Sequence, residues 1–103
     1  MEGELRGLAG VDRLIHEPAR LMIVAILYAA DQADFLYLLR ETGLTKGNLS
    51  AHLARLEEAG YVKIDKTYRG KIPCTICSLT ATGRAAFHEY RARLKRAVDS
   101  MPD

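Results

Sequence analysis

The side chains best suited to chemistry on a ligand lie close together between Lys46 and Arg55. An asparagine amide can pair with adenine through two hydrogen bonds, and an arginine can pair in the same way with guanine or bind a phosphate. Asn48 and Arg55 supply these groups, and Ser50 adds a hydroxyl of low selectivity. The residues expected to contact bases or phosphates are Lys46, Gly47, Asn48, Ser50, Ala51, His52 and Arg55.

The apolar residues of the same stretch predict the helix that positions these side chains. Leucines recur at i, i+4 and i+7 over residues 49–56, which places them on one side of a helix and the small or polar residues on the other. Thr45 can cap this helix through its hydroxyl, and Gly60 ends it. We therefore expect a helix over Thr45–Ala59 whose outer face is slim enough to enter a groove.

Two further helices are predicted before this one. Pro18 opens the first, because a proline at the first helical position loses no hydrogen bond, and the helix runs to about Ala30 with apolar residues on all sides. Residues 31–34 are expected to form a turn, and Asp34 caps a second helix that ends at Gly43. A three-residue turn containing glycine then leads to the third helix, as in a helix-turn-helix. The expected inner stripe of the second helix is Phe35, Leu36 and Leu39.

Positive charge is concentrated on a hairpin after the third helix. Residues 61–68 alternate and are rich in β-branched and aromatic side chains, which indicates a strand, and residues 69–71 form the tip before the chain returns. This basic segment could bind the DNA backbone or a narrow minor groove. The alternative is a solvated hairpin whose basic residues keep a sheet edge soluble. The basic residues expected to contact DNA are Lys66, Arg69 and Lys71.

The C-terminal segment predicts a helix that packs on a partner. Thr80 can cap it, and from Phe87 onward its apolar residues are spaced 3, 4, 3 and 4, as in a helical seam. We expect a homodimer that combines this seam with the apolar first helix and with residues 1–15, which form a short helix or helical turns. The expected interface residues are Phe87, Tyr90, Leu94, Ala97, Val98 and Met101.

Length and composition predict one globular domain over residues 1–103. Of these residues, 49% are hydrophobic and 27% charged, with a net charge of +2. The longest apolar run is too short to span a membrane, and the acidic N-terminus does not resemble a signal peptide, so a cytoplasmic protein is expected. The expected divisions are an N-terminal extension (1–17), a core (18–79) and a dimerisation helix (80–103).

A pair of cysteines, Cys74 and Cys77, has the spacing of a metal or redox motif. A tetrahedral zinc site needs four ligands, however, and the three histidines are scattered along the sequence. Residues i and i+3 of a strand also point to opposite faces. We expect both cysteines to fill apolar positions, with redox sensing as the alternative. No catalytic spacing is present, so neither an enzyme nor a cofactor or metal is expected.

Three motifs in this order resemble winged-helix transcriptional regulators of the ArsR/MarR type. They are residues 16–23 at the first helix, 44–62 at the third helix and 79–87 after the hairpin. The match is most similar to a small stand-alone winged helix DNA-binding domain group, and it covers roughly residues 14–98. The cysteine pair that binds metal near the recognition helix in ArsR-type proteins is absent, so metal sensing is not implied.

The resemblance implies an α+β, mainly α fold: a winged helix-turn-helix with a three-helix core, a β-hairpin wing, an N-terminal extension and a long C-terminal dimerisation helix. It also implies a homodimeric, sequence-specific binder of double-stranded DNA that regulates transcription. Its recognition helix (45–59) would enter the major groove, and its wing (63–78) would meet the flanking backbone or minor groove. The modest net charge keeps one alternative open, a winged-helix module that binds proteins without reading DNA.

Overall fold

The computed structural model describes residues 2–103, which form five α-helices, one short 3-10 helix and three β-strands. This arrangement confirms the predicted mainly helical winged helix with a long C-terminal helix. The helices are α1 (Glu2–Arg6), α2 (Pro18–Ala30), α3 (Phe35–Thr42), α4 (Lys46–Glu58) and α5 (Ala81–Asp99), and Gly7–Gly10 form the 3-10 helix. The strands are β1 (Gln32–Asp34), β2 (Val62–Arg69) and β3 (Ile72–Leu79).

Side chains cap the helix starts and so determine where each helix begins. The predicted caps Asp34, Thr45 and Thr80 are confirmed, since each accepts a hydrogen bond from a backbone amide in the first turn of its helix. Glu17 caps α2 in the same way, just before Pro18. The turn between α3 and α4 is therefore set at both ends, with a left-handed glycine ending α3 and a threonine opening α4.

The sheet has one strand more than the sequence predicts. Residues 32–34, expected to be a turn, form β1, which pairs antiparallel with β3 and extends the β2–β3 hairpin to a sheet in the order β1-β3-β2. The chain reverses after α2 at Asp31, whose φ is 66°. At the other end Gly70, with φ 67°, begins the two-residue loop of the hairpin. The base of the wing is therefore paired on both sides of β3.

The core is built around α2 and α4. Leucines 49, 53 and 56 of α4 are buried as predicted, and they share the core with Ile23, Val24 and Leu27 of α2. The predicted inner stripe of α3 is wrong at one position. Leu36 is 66% exposed, and Leu38 is buried instead. Residues 35, 38 and 39 have the spacing i, i+3, i+4 of one helix side, whereas residue 36 points about 100° away from residue 35.

The N-terminal extension is attached to the core by polar contacts. The carboxylate of Asp12 accepts hydrogen bonds from the backbone amides of Leu14 and Ile15, at 2.9 and 3.2 Å, and from the hydroxyl of Tyr61 at 2.5 Å. His16 is hydrogen bonded through Nδ1 to the hydroxyl of Tyr90 on α5, at 2.8 Å. These contacts hold the segment before α2 against both α5 and the turn after α4.

The apolar seam of α5 faces mainly its own chain, which corrects the expectation that all six of its residues meet a partner. Phe87, Tyr90 and Ala97 are buried within the protomer, because α2, α1 and the 3-10 helix pack against this side of α5. Leu94 is half-buried, and Val98 and Met101 are exposed. Heptad spacing fits an intramolecular partner as well as an intermolecular one, so the spacing alone does not distinguish them.

The protomer is elongated, with principal extents of 55 × 25 × 20 Å and a radius of gyration of 15.3 Å. A compact domain of about this length has a radius of gyration of roughly 13 Å. The longest element, α5, has 19 residues and so spans about 28 Å, and α1 packs on it. Among residues 2–103, no helix combines the length and apolar character needed to cross a lipid bilayer.

At Gly83, α5 packs closely against the backbone of the turn before β2. A β-carbon at this position would lie 2.9 Å from the C and Cα atoms of Tyr61, and closer still to its carbonyl oxygen. That oxygen accepts a hydrogen bond from the amide of Thr80, so the backbone is held in place. We expect Gly83→Ala to lower the free energy of unfolding by about 3 kcal/mol in chemical denaturation followed by circular dichroism.

The matched control is Gly47→Ala, on the exposed side of α4, where a β-carbon would meet nothing within 4 Å. Alanine favours helix over glycine, so this change should raise the free energy of unfolding by about 0.5–1 kcal/mol. Equal stabilities for the two variants would contradict this account of the packing.

Candidate nucleic-acid interface

The outer face of α4 is exposed. Six of the seven residues predicted on this helix are exposed, because the leucine stripe packs against α2 and leaves the opposite side of the helix in solvent. Within residues 3–103, the side chains of Lys46, Asn48 and Arg55 form no hydrogen bond or ion pair. Their donors are therefore available to a ligand. The six exposed residues are Lys46, Gly47, Asn48, Ser50, Ala51 and Arg55.

His52 differs from the other six, since only 24% of its side chain is exposed. Its Nδ1 lies 3.2 Å from Nη1 of Arg20, on α2, and 3.9 Å from Oε2 of Glu17. The reason is its angular position, about 60° from the leucine stripe, which turns its ring toward the start of α2. The backbone amide of Arg20 donates to Glu17 and holds the pKa of that carboxyl below its ordinary value, so the residue is anionic at neutral pH.

The wing presents different residues on its two faces. Side chains alternate along a strand, so Lys66 and Tyr68 share the face of β2 that begins with buried Val62, whereas Arg69 lies on the other. Lys66 lines an open groove of about 650 Å³ between the wing and α4, together with Ser50 and Ala54 and their neighbours. Of the three predicted wing cations, Lys66 is therefore the one that the structure places beside α4.

Arg69 is engaged within the chain. Its Nη2 lies 3.6 Å from Oδ2 of Asp34, the cap of α3, and 72% of its side chain remains exposed. Exposed ion pairs of this kind contribute about 0–1 kcal/mol, so a phosphate can compete for the guanidinium. Lys71 is exposed in the hairpin loop and forms no ion pair within residues 2–103.

The cysteines lie on opposite faces of β3, and both are free thiols. Cys77 is buried, as predicted, whereas Cys74 is half-buried and lines an open groove near the wing tip. Burial raises the pKa of the Cys77 thiol to about 11, with smaller contributions from the carboxylates of Asp34 and Glu57. No group of three or more histidine, cysteine or acidic side chains is placed to hold a metal ion in the described part of the chain.

Two features near the interface were not predicted. The buried Arg20 joins α2 to α4, and the only signal for it is one arginine within an otherwise apolar helix. The aromatic side chain of Tyr68 is 69% exposed on the wing. An exposed tyrosine in a strand has no distinctive pattern, because aromatic residues are common in strands of every kind.

Comparison with known proteins decides the family. The profile of the family described as "Winged helix DNA-binding domain" matches residues 19–98. The chain belongs to this family. This match confirms the resemblance seen in the sequence, with α4 as the third helix of the helix-turn-helix and the β2–β3 hairpin as the wing.

Individual relatives agree with this assignment. The chain is 38% identical over 79 residues to an uncharacterised protein of Methanocaldococcus jannaschii, a match covering 76% of this chain and 85% of that protein. It is 30% identical to a transcriptional regulator homologue of Pyrococcus horikoshii, whose structure matches with a TM-score of 0.84 over 96% of both chains. The protein AbfR, in its reduced form bound to DNA, shares the winged-helix fold, with 20% identity and a TM-score of 0.64 over 81% of this chain and 57% of that one.

The two thiols of the winged helix domain should react very differently. At pH 7.5 a thiol-specific reagent should modify Cys74 within minutes and leave Cys77 intact until the protein unfolds, because Cys77 is buried and has a raised pKa. Mass spectrometry of tryptic peptides identifies the modified residue, and Cys74→Ser provides the control. Rapid labelling of Cys77 in the folded protein, or formation of a Cys74–Cys77 disulfide with mild oxidant, would contradict the structure.

Proposed function

We propose that the protein is a homodimeric transcriptional regulator that binds double-stranded DNA in a sequence-specific manner. The single observation that carries the proposal is the outer face of α4, where unpaired donors alternate with small residues on a rigidly packed helix. The proposal includes a cytoplasmic location and the absence of catalysis. AbfR, of the same fold, is described bound to DNA, which supports the choice of partner.

Each exposed group on α4 has a corresponding role in the major groove, which admits an α-helix. The amide of Asn48 can bind adenine through two hydrogen bonds, and Arg55 can bind guanine or a phosphate. Lys46, in the first turn, is near the free amides of the helix start and suits a phosphate. Gly47 and Ala51 keep the face slim, and the methyl group of Ala51 can contact a thymine methyl.

The wing supplies the charge that α4 lacks. Lys66 lies beside α4 across the groove, so it can bind the same backbone that flanks the recognition helix. Lys71 in the loop can reach the adjacent phosphates or minor groove. Arg69 can also bind a phosphate once that phosphate displaces the carboxylate of Asp34 from its guanidinium. Neutralising phosphates releases condensed counterions, so these lysines should determine how binding depends on salt.

We propose that the dimer forms through the extended end of the protomer. Val98 and Met101 are 53% and 44% exposed, and with half-buried Leu94 they are spaced i, i+4 and i+7 over the last turns of α5 and the two residues after it. Met22 on α2 and Leu5 on α1 are also exposed. Beside Leu94, an apolar groove of about 560 Å³ separates α2 from α5. A partner protomer that covers this surface would use the N-terminal extension and the last helix together.

A winged-helix module that binds proteins is the second candidate. The observation in its favour is an exposed apolar cluster at the wing, away from the proposed dimer surface. Tyr68 and Ile72 are 69% and 70% exposed, and Leu36 lies across a groove of about 590 Å³ from them. This candidate predicts weak binding to DNA that does not depend on sequence.

The DNA-binding proposal makes separate predictions for helix and wing. Arg55→Ala should weaken binding to a duplex selected from a random pool by about 1–3 kcal/mol, and should relax preference at one position of the site. Lys66→Ala should weaken binding to all duplexes similarly and reduce the salt slope by about 1. Fluorescence anisotropy over a range of salt concentrations measures both effects.

Arg96→Ala is the control for these variants, since Arg96 is exposed on α5, away from α4 and the wing. Its affinity should equal that of the unmodified protein. If no duplex is selected from the pool, or if all three variants bind equally, the protein does not read DNA through α4.

The dimer proposal predicts that Val98→Lys with Met101→Lys gives a monomer in sedimentation velocity at micromolar concentration, whereas the unmodified protein is a dimer. The lysines would place charge in a buried apolar contact without opposing the helix dipole. Asp99→Lys, which puts the same side chain on a different side of the same turn, should remain a dimer. An unmodified protein that sediments as a monomer at this concentration would contradict the dimer proposal.

A further inference from the structure

Arg20 is the one buried charged residue among residues 3–103, with 8% of its surface exposed. Its guanidinium is held by three groups. Nε donates to the backbone carbonyl of Leu14 at 2.5 Å, Nη1 lies 3.8 Å from Oε2 of Glu17, and the same nitrogen lies 3.2 Å from Nδ1 of His52. The guanidinium thus connects the segment before α2, the cap of α2 and the recognition helix.

The contact between Arg20 and His52 determines which imidazole nitrogen carries the proton. A guanidinium has only donors and remains protonated at any pH at which proteins fold. Nδ1 of His52 must therefore accept the hydrogen bond and be without a proton. In a neutral imidazole the proton is then on Nε2, which becomes a donor.

His52 is placed to use this donor on DNA. It follows Asn48 by four residues and precedes Arg55 by three, so it shares one side of α4 with both of these exposed residues. Its own side chain is partly exposed, and within residues 3–103 no hydrogen-bond partner occupies Nε2. The ring therefore presents a neutral N–H beside the surface proposed to enter the major groove.

We infer that Arg20 is a positioning residue that fixes His52 as the Nε2–H tautomer, and that His52 donates a neutral hydrogen bond to a DNA phosphate beside the recognition helix. This inference rests on the proposed DNA binding. Contacts to phosphate carry no sequence information but set the register and orientation of a recognition helix. Because the donor is uncharged, this contact releases no counterion, in contrast to the contacts of the wing lysines.

The tautomer is tested without DNA. Long-range nitrogen–proton correlation spectra of the full chain, recorded above pH 7.5, should show the Nε2–H form of His52 alone. Arg20→Met, which removes the donor, should give a mixture of both tautomers in exchange. A proton on Nδ1 of His52 in the unmodified protein would overturn the inference whatever the protein binds.

The phosphate contact is tested with two amides of different length. His52→Asn places its carbonyl near the position of Nδ1, so it keeps the contact with Arg20 but loses the outward donor. His52→Gln places an amide donor near the position of Nε2. We expect His52→Asn to bind every duplex about tenfold more weakly with the salt slope unchanged, and His52→Gln to recover most of the affinity.

Failure of the inference can be distinguished from failure of the proposed function. If Arg55→Ala weakens binding but His52→Asn binds as tightly as the unmodified protein, the inference fails and the proposed function stands. A salt slope that falls with His52→Asn as it does with Lys66→Ala would show a cationic contact and also overturn the neutral donor. If the unmodified protein binds no duplex, both fail.

Discussion

Burial of the leucine stripe of α4 is the constraint on which the rest of the structure depends. Leu49, Leu53 and Leu56 are at most 2% exposed, and each such leucine contributes about 1.5–3 kcal/mol through its burial. Turning the helix by one residue, about 100°, would expose the stripe and bury polar groups. The packing of the leucines against α2 therefore determines which side chains α4 exposes to solvent. No polar contact on the exposed face is needed to fix the orientation of the helix.

This dependence explains which parts of the structure could be predicted from the sequence. The caps Asp34 and Thr45, the glycine after α3 and the stripe of α4 are local signals, and the structure confirms them. Strand β1 could not be predicted, because three residues show no periodicity and pair only with a strand more than 40 residues away. The seam of α5 was predicted as a pattern, but whether its partner is the same chain or a second one depends on the fold.

The same distinction applies within the candidate site. The exposure of Asn48 and Arg55 follows from the position of the leucines, so it could be predicted. The contacts of Arg69 with Asp34 and of His52 with Arg20 join residues that are far apart in sequence, 32 residues in the second case. Such pairs depend on how α2, α4 and the wing meet. These contacts change the chemistry of both residues. The ion pair with Asp34 makes Arg69 less available to a phosphate, and the contact with Arg20 favours one tautomer of His52.

Electrostatics then constrain how a protein of this kind could bind DNA. Over residues 45–59 two bases are balanced by two acids, and the whole chain has a net charge of only +2. Long-range attraction of one protomer to DNA is therefore weak, and part of the wing charge is already paired in the free protein. Affinity would have to come from close fit, from uncharged donors such as the proposed Nε2–H of His52, and from two recognition helices acting together. In the proposed complex, dimerisation would therefore raise the affinity, because two protomers double the number of cations and of recognition helices that contact the duplex.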